Sequence, residues 1–142
     1  LILSESAFRN FEQRPPLSNE ELYESGLKTS LAKFASAAKT IVYLGTPPRG
    51  VGLVDCVGSN GQIIDECFID PSNNRSLRSV QERIIEDTGN YFINYEDWLC
   101  FTLCPPVIDN LAVFGDGLHF TPEFAEKLAP LFRAFLVSNN LL

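Results

Sequence analysis

Apolar positions recur along this chain in two patterns, and the alternation between them suggests the fold. Leu1-Ile2-Leu3 is an apolar run with no turn before it and reads as a buried strand. Arg14-Pro15-Pro16 breaks the chain, and Ser18 then fits an N-cap. Glu20 and Glu21 follow in the first turn, where the helix dipole favours negative charge. Leu22, Leu27, Leu31 and Phe34 or Ala35 recur at helical spacing, which predicts a helix over 19–38. Ile41-Val42-Tyr43-Leu44 is a short β-rich run without alternation, as expected of a strand buried on both faces of a parallel sheet. Strand, helix and strand in this order make a βαβ unit.

The stretch 49–73 reads as loop, with turn formers in Gly58-Ser59-Asn60-Gly61 and Pro71. Asn74 or Ser76 can cap a helix over 77–88, closed by Gly89-Asn90. Tyr91-Phe92-Ile93-Asn94-Tyr95 is a strand candidate, followed by a loop to Asn110. Leu111-Ala112-Val113-Phe114 is a short apolar run ending at Gly115-Asp116-Gly117. Thr121-Pro122-Glu123 is a strong helix start, with Thr as N-cap and Pro at the first helical position; that helix runs to about Val137.

Composition narrows the class. Leu, Ile, Val and Phe make up roughly a third of the chain, which argues against intrinsic disorder. At 142 residues the chain fits one domain, perhaps with a small appendage, and it contains no methionine, so we expect a processed form or a piece of a longer protein. The longest uncharged stretches fall far short of the ~20 apolar residues of a transmembrane helix. A net charge of −7 argues against nucleic acid as a partner and against docking on anionic lipid. Four cysteines, Cys56, Cys67, Cys100 and Cys104, allow three pairings, of which the local one is the economical choice. Buried free thiols are the alternative. Zinc would need tighter spacing or several histidines, and the chain has one. Disulfides would place the domain outside the cytoplasm.

That one histidine lies in the segment richest in chemistry, Gly115-Asp116-Gly117-Leu118-His119-Phe120-Thr121. Asp116 and His119, three apart in a turn before a helix, can share a hydrogen bond. The carboxylate would then fix the imidazole tautomer, leaving His119 as a general base toward a hydroxyl. A loop after a short strand is also where open α/β sheets place their sites. The bland alternative is a turn aspartate beside a surface histidine. Trp98, Tyr91, Phe92 and Tyr95 could stack on a sugar, but aromatic residues beside a cysteine pair more often belong to the core. Arg49 could meet a carboxylate or phosphate, against a default of a solvated loop arginine. Glu20-Glu21 is a helix-start feature and not a paired-carboxylate site.

Asp116-x-x-His119 followed by Thr121 resembles the last sequence block of SGNH (GDSL-type) hydrolases. Cys100-x-x-x-Cys104-Pro105-Pro106 just before it, and Lys39–Pro48 preceding Cys56, narrow the likeness. Together they resemble the extracytoplasmic SGNH domain fused behind the multi-pass acyltransferase domain of bacterial surface-sugar O-acyltransferases. The resemblance implies an α/β fold of three-layer, flavodoxin-like type across residues 1–142. It implies disulfides Cys56–Cys67 and Cys100–Cys104, and a place at the cell membrane on its extracytoplasmic side. The implied reaction moves an acyl group, acetyl above all, to hydroxyls of surface glycans or glycolipids through a serine acyl-enzyme. His119 would be the base and Asp116 its orienting partner. No cofactor of the domain's own is implied: the acyl donor, such as acetyl-CoA, would be used by the membrane domain.

Domains of this kind begin with a strand and a Gly-Asp-Ser turn, and no Gly-Asp-Ser occurs here. Ser6 stands in a similar outline. However, the next helix leads straight into the strand at 41–44, which matches the family's third block. That alignment makes Leu1-Ile2-Leu3 the third strand, leaves the first strands and the serine upstream of Leu1, and implies that the piece alone is inactive. It puts Ser4-Glu5-Ser6-Ala7 where many of these hydrolases carry an oxyanion-hole Asn; here only Asn10 is near. A secreted carbohydrate esterase and a non-catalytic carbohydrate-binding remnant of the same fold are the alternatives.

Overall fold

A computed structural model describes residues 1–4, 18–48, 53–56, 61, 65–117 and 119–142. The described chain forms two compact units, one of Leu1–Pro47 with Ser72–Tyr95 and one of Pro48–Pro71 with Glu96–Leu142.

The first unit is an α/β assembly. Strands β1 (Ile2–Ser4), β2 (Val42–Leu44) and β3 (Tyr91–Ile93) form a parallel sheet in that order. Helix α1 (Asn19–Ala35) connects the first two in sequence. The next two are joined through α2 (Leu53–Cys56), which belongs to the second unit, and α3 (Arg75–Asp87). Ser18 caps α1 in a reciprocal capping box: its hydroxyl accepts from Glu21 N–H, and the Glu21 carboxylate accepts from Ser18 N–H at 2.7 Å. Those hydrogen bonds hold the Glu21 carboxyl below its usual value.

The face that α1 buries is Tyr23, Leu27 and Leu31, one residue every turn, and not a stripe through Leu22. Phe34 is exposed, and the helix ends at Ala35 because the Ser36 N–H and the Ala37 and Ala38 N–H groups turn back onto Phe34 O. Ile41, Val42 and Tyr43 are buried, in keeping with a parallel strand enclosed on both faces. Leu77, Val80, Ile84 and Ile85 of α3 complete this core. Gly45 follows β2 so closely against β3 that a Cβ there would lie 2.5 Å from the Phe92 ring and 3.0 Å from Ile93 O.

Among the described residues Thr46, Arg78 and Gln81 are polar and buried in this unit, and Gln81 is the most enclosed of them. Gln81 of α3 is fully buried, and its amide nitrogen donates to Tyr23 Oη at 2.7 Å, Thr46 Oγ1 at 3.0 Å and Tyr43 Oη at 3.4 Å. Its carbonyl accepts from Thr46 N–H at 3.3 Å. One residue thereby ties α1, β2 and the chain after β2 to α3.

On the outside, Glu24 of α1 meets Arg83 of α3 at 2.9 Å and Lys28 one turn on at 2.6 Å. The Arg83 guanidinium first, and then the Lys28 ammonium, hold the Glu24 carboxyl at about 2, below its ordinary 4.5. A carboxyl that stays ionised in the fold but takes up a proton near 4.5 when unfolded stabilises the fold above that pH and loses the contribution as pH falls toward 2. Thermal melts of Glu24→Gln should therefore fall less steeply than wild type between those two pH values. Parallel curves would show that the pair contributes nothing.

In the second unit, disulfides do much of what the sheet does in the first. Cys56, at the end of α2, bonds to Cys67, and Cys100 bonds to Cys104. Cys104 also exchanges both backbone hydrogen bonds with Ile69, at 2.9 and 3.0 Å. A short 3-10 turn at Asp65–Cys67 and the helix α4 (Glu96–Leu99) stand where the sequence predicts loops, and a second 3-10 turn, Pro71–Asn74, lies where the chain passes into the first unit. Strands β4 (Val107–Ile108) and β5 (Leu111–Ala112) form a hairpin whose turn residues, Asp109 and Asn110, both adopt positive φ, at 49° and 62°. Helix α5 (Pro122–Ser138) ends the unit. No described helix is long and apolar enough to cross a membrane.

Candidate active site

The loop between β5 and α5 is closed at its neck by backbone and side chain together. Thr121 N–H donates to Val113 O at 3.1 Å, and Thr121 Oγ1 donates to Ala112 O at 2.6 Å. The same Oγ1 accepts from Phe124 N–H at 3.3 Å as the N-cap of α5. One step further in, Phe114 and Phe120 pair as an antiparallel bridge, with Gly115 N–H donating to His119 O at 2.9 Å. Their rings stack at 5.4 Å, and Phe120 meets Phe124 at 5.8 Å. Phe114 and Phe124 are buried, so the loop stands on a fixed aromatic base.

Beyond this base the chain turns at Gly117, whose φ of 81° suits glycine. The turn brings Asp116 and His119 together. Asp116 Oδ1 accepts from His119 N–H at 2.8 Å, and Asp116 Oδ2 lies 2.8 Å from His119 Nδ1. Both carboxylate oxygens thus act on one residue. A carboxylate at this distance selects the tautomer with the proton on Nδ1, which leaves the Nε2 lone pair as a base. Nε2 has no hydrogen-bond partner among the described residues. The pair is open to solvent, with side-chain exposures of 72% for His119 and 59% for Asp116. At such exposure it stabilises the fold by only about 0.2–1 kcal/mol, so its geometry matters more than its strength.

The other sequence candidates fall elsewhere. Ser6, Asn10 and Arg49 lie outside the described residues. Trp98 is half-buried in α4, while Tyr91 and Phe92 are half-buried in β3. Burial raises the Tyr95 phenol above its usual value. Glu21 is committed to its capping box. Among the described residues no group of three His, Cys, Asp or Glu side chains could hold a metal. Sequence alone gives Thr121 as a cap and as the end of the Asp116-x-x-His119 block, and shows neither its bond to Ala112 O nor the packing of Phe114, Phe120 and Phe124. The i, i+4 spacing of the last two across the helix start was the available signal.

The model of one protein family, the SGNH domain (fused to AT3 domains), matches residues 2–134. No curated protein and no solved structure matches the chain.

Proposed function

This chain belongs to the family of SGNH domains that are fused to AT3 domains, and on that premise we propose that its parent protein transfers acetyl groups to hydroxyls of surface glycans or glycolipids. The observation that carries the proposal is the contact of 2.8 Å between Asp116 Oδ2 and His119 Nδ1. In the proposed reaction a serine upstream of Leu1 is the nucleophile. His119 Nε2 removes its proton as Oγ attacks the acyl carbonyl. The tetrahedral intermediate collapses, and His119 returns the proton to the leaving group. A sugar hydroxyl then attacks the acyl-serine, His119 accepting its proton, and collapse restores the serine hydroxyl. Asp116 holds the ring and stabilises the imidazolium in both halves.

The parallel sheet with its connecting helices supports a three-layer, flavodoxin-like arrangement completed by earlier strands. The two disulfides support a position on the extracytoplasmic side of the membrane. A multi-pass membrane domain of the same protein would deliver the acyl group from a donor such as acetyl-CoA. Water in place of the sugar would make the same site an esterase, so transfer depends on acceptor placement and exclusion of water.

A fluorophosphonate probe tests the reading directly. The intact parent should gain one covalent adduct on a single serine, and His119→Ala should lose it. An adduct on Ser6 would move the nucleophile into this chain. No adduct on any serine would leave a carbohydrate-binding role as the better account.

A further inference from the structure

We propose that Thr121 is the positioning residue of the Asp116–His119 pair, an inference that rests on the acyl-transfer reading above. Its hydroxyl does two separable things. As an acceptor it caps α5 at Phe124 N–H, at 3.3 Å; as a donor it clips Ala112 O, at 2.6 Å. The first contact belongs to the helix. The second closes the neck of the loop that carries both site residues, beside the backbone bond from Thr121 N–H to Val113 O.

Between this neck and the pair stands one further tie, the Phe114–Phe120 bridge. Asp116 and His119 lie in the exposed turn beyond it, and their own mutual contacts add little rigidity there. With the clip released, the neck keeps only the bond from Thr121 N–H to Val113 O, and the added freedom loosens the geometry that sets both Asp116 oxygens on His119. The tautomer of His119 then drifts away from the form with Nδ1 protonated, the form that leaves Nε2 as a base.

The two roles can be tested apart, because carboxylates accept but do not donate. Thr121→Asp keeps the helix cap and abolishes the clip; Thr121→Ser keeps both; Thr121→Val removes both. In the ¹⁵N-histidine-labelled parent protein, the ring signals that vanish in His119→Gln are those of His119. Correlations from the carbon-bound ring protons to Nδ1 and Nε2, recorded on the neutral ring, give the tautomer ratio without any activity assay.

Wild type and Thr121→Ser should hold mostly the Nδ1-protonated form. Thr121→Asp should lower the ratio of Nδ1–H to Nε2–H roughly threefold to tenfold, about the reach of one lost hydrogen bond. Its helix content and melt should stay near wild type. Thr121→Val should show the same change of tautomer together with a lower melt. A wild-type ratio retained in a folded Thr121→Asp or Thr121→Val would overturn the positioning role and leave the acyl-transfer reading untouched. A wild-type ring protonated on Nε2 would overturn the pair itself, and both readings with it.

Discussion

Replacing His119 with alanine should lower turnover of p-nitrophenyl acetate by the parent protein roughly 10²–10⁴-fold, the range lost with a positioned general base. The fall should appear in kcat, because the imidazole acts on the proton that moves during attack and contributes little to binding the ester. Asp116→Asn should approach the same loss for a different reason. Asp116 offers two acceptors, one to His119 N–H and one to Nδ1. An asparagine offers one acceptor and one donor, so whichever way the amide turns, one of the two contacts is broken. If the amide nitrogen faces the ring, it favours the tautomer with its proton on Nε2, and the base is gone. Turnover within about twofold of wild type in His119→Ala, below the range expected for a base, would return this residue to the solvated surface.

The second large effect concerns stability. Changing Cys56 and Cys67 together to serine should cost about 3 kcal/mol, the value the chain-entropy model assigns to a loop of this length, whose ends are 11 residues apart. The pair Cys100–Cys104 spans only 4 residues, and its removal should cost about 2 kcal/mol on the same model. Trp98, the only tryptophan, lies in the unit that holds both bridges, so its fluorescence follows unfolding there. Denaturant titrations of the two double variants should rank in this order. Equal losses, or none for Cys56 and Cys67, would mean that loop closure is not how the bridges act.

Local chemistry was legible wherever a short segment decides its own conformation. Thr121-Pro122-Glu123 starts a helix because cap, fixed φ and dipole all agree, and α5 begins at Pro122. Ser18 and Glu21 behave likewise at α1. The contact between Asp116 and His119 followed from their spacing in a glycine turn. What escaped reading depends on partners far along the chain. Tyr23 is absent from the apolar positions that predict α1, since the hydroxyl it would bury needs a partner; that partner is Gln81, 58 residues away, and the ring joins the core. The hairpin of β4 and β5 has strands of two residues, too short to show alternation, and depends on Asp109 and Asn110 both entering the left-handed region. The 3-10 turn Asp65–Cys67 ends on a cysteine bonded to Cys56, 11 residues back, a tie that its own propensities do not show.

The buried amide of Gln81 limits how this core can be rearranged. Leucine and isoleucine layers accept many helix rotations at nearly equal energy, because any apolar neighbour substitutes for any other. A directional group does not. Turning α3 by one residue, about 100°, would carry Gln81 away from two phenols and a threonine at once, one on α1 and two on β2 and the chain just after it. The alternatives to the native packing are therefore raised in energy together, whatever the native state itself gains. A few polar contacts thus give a largely apolar interior one register, and the chain end of β2 at Thr46 inherits that register.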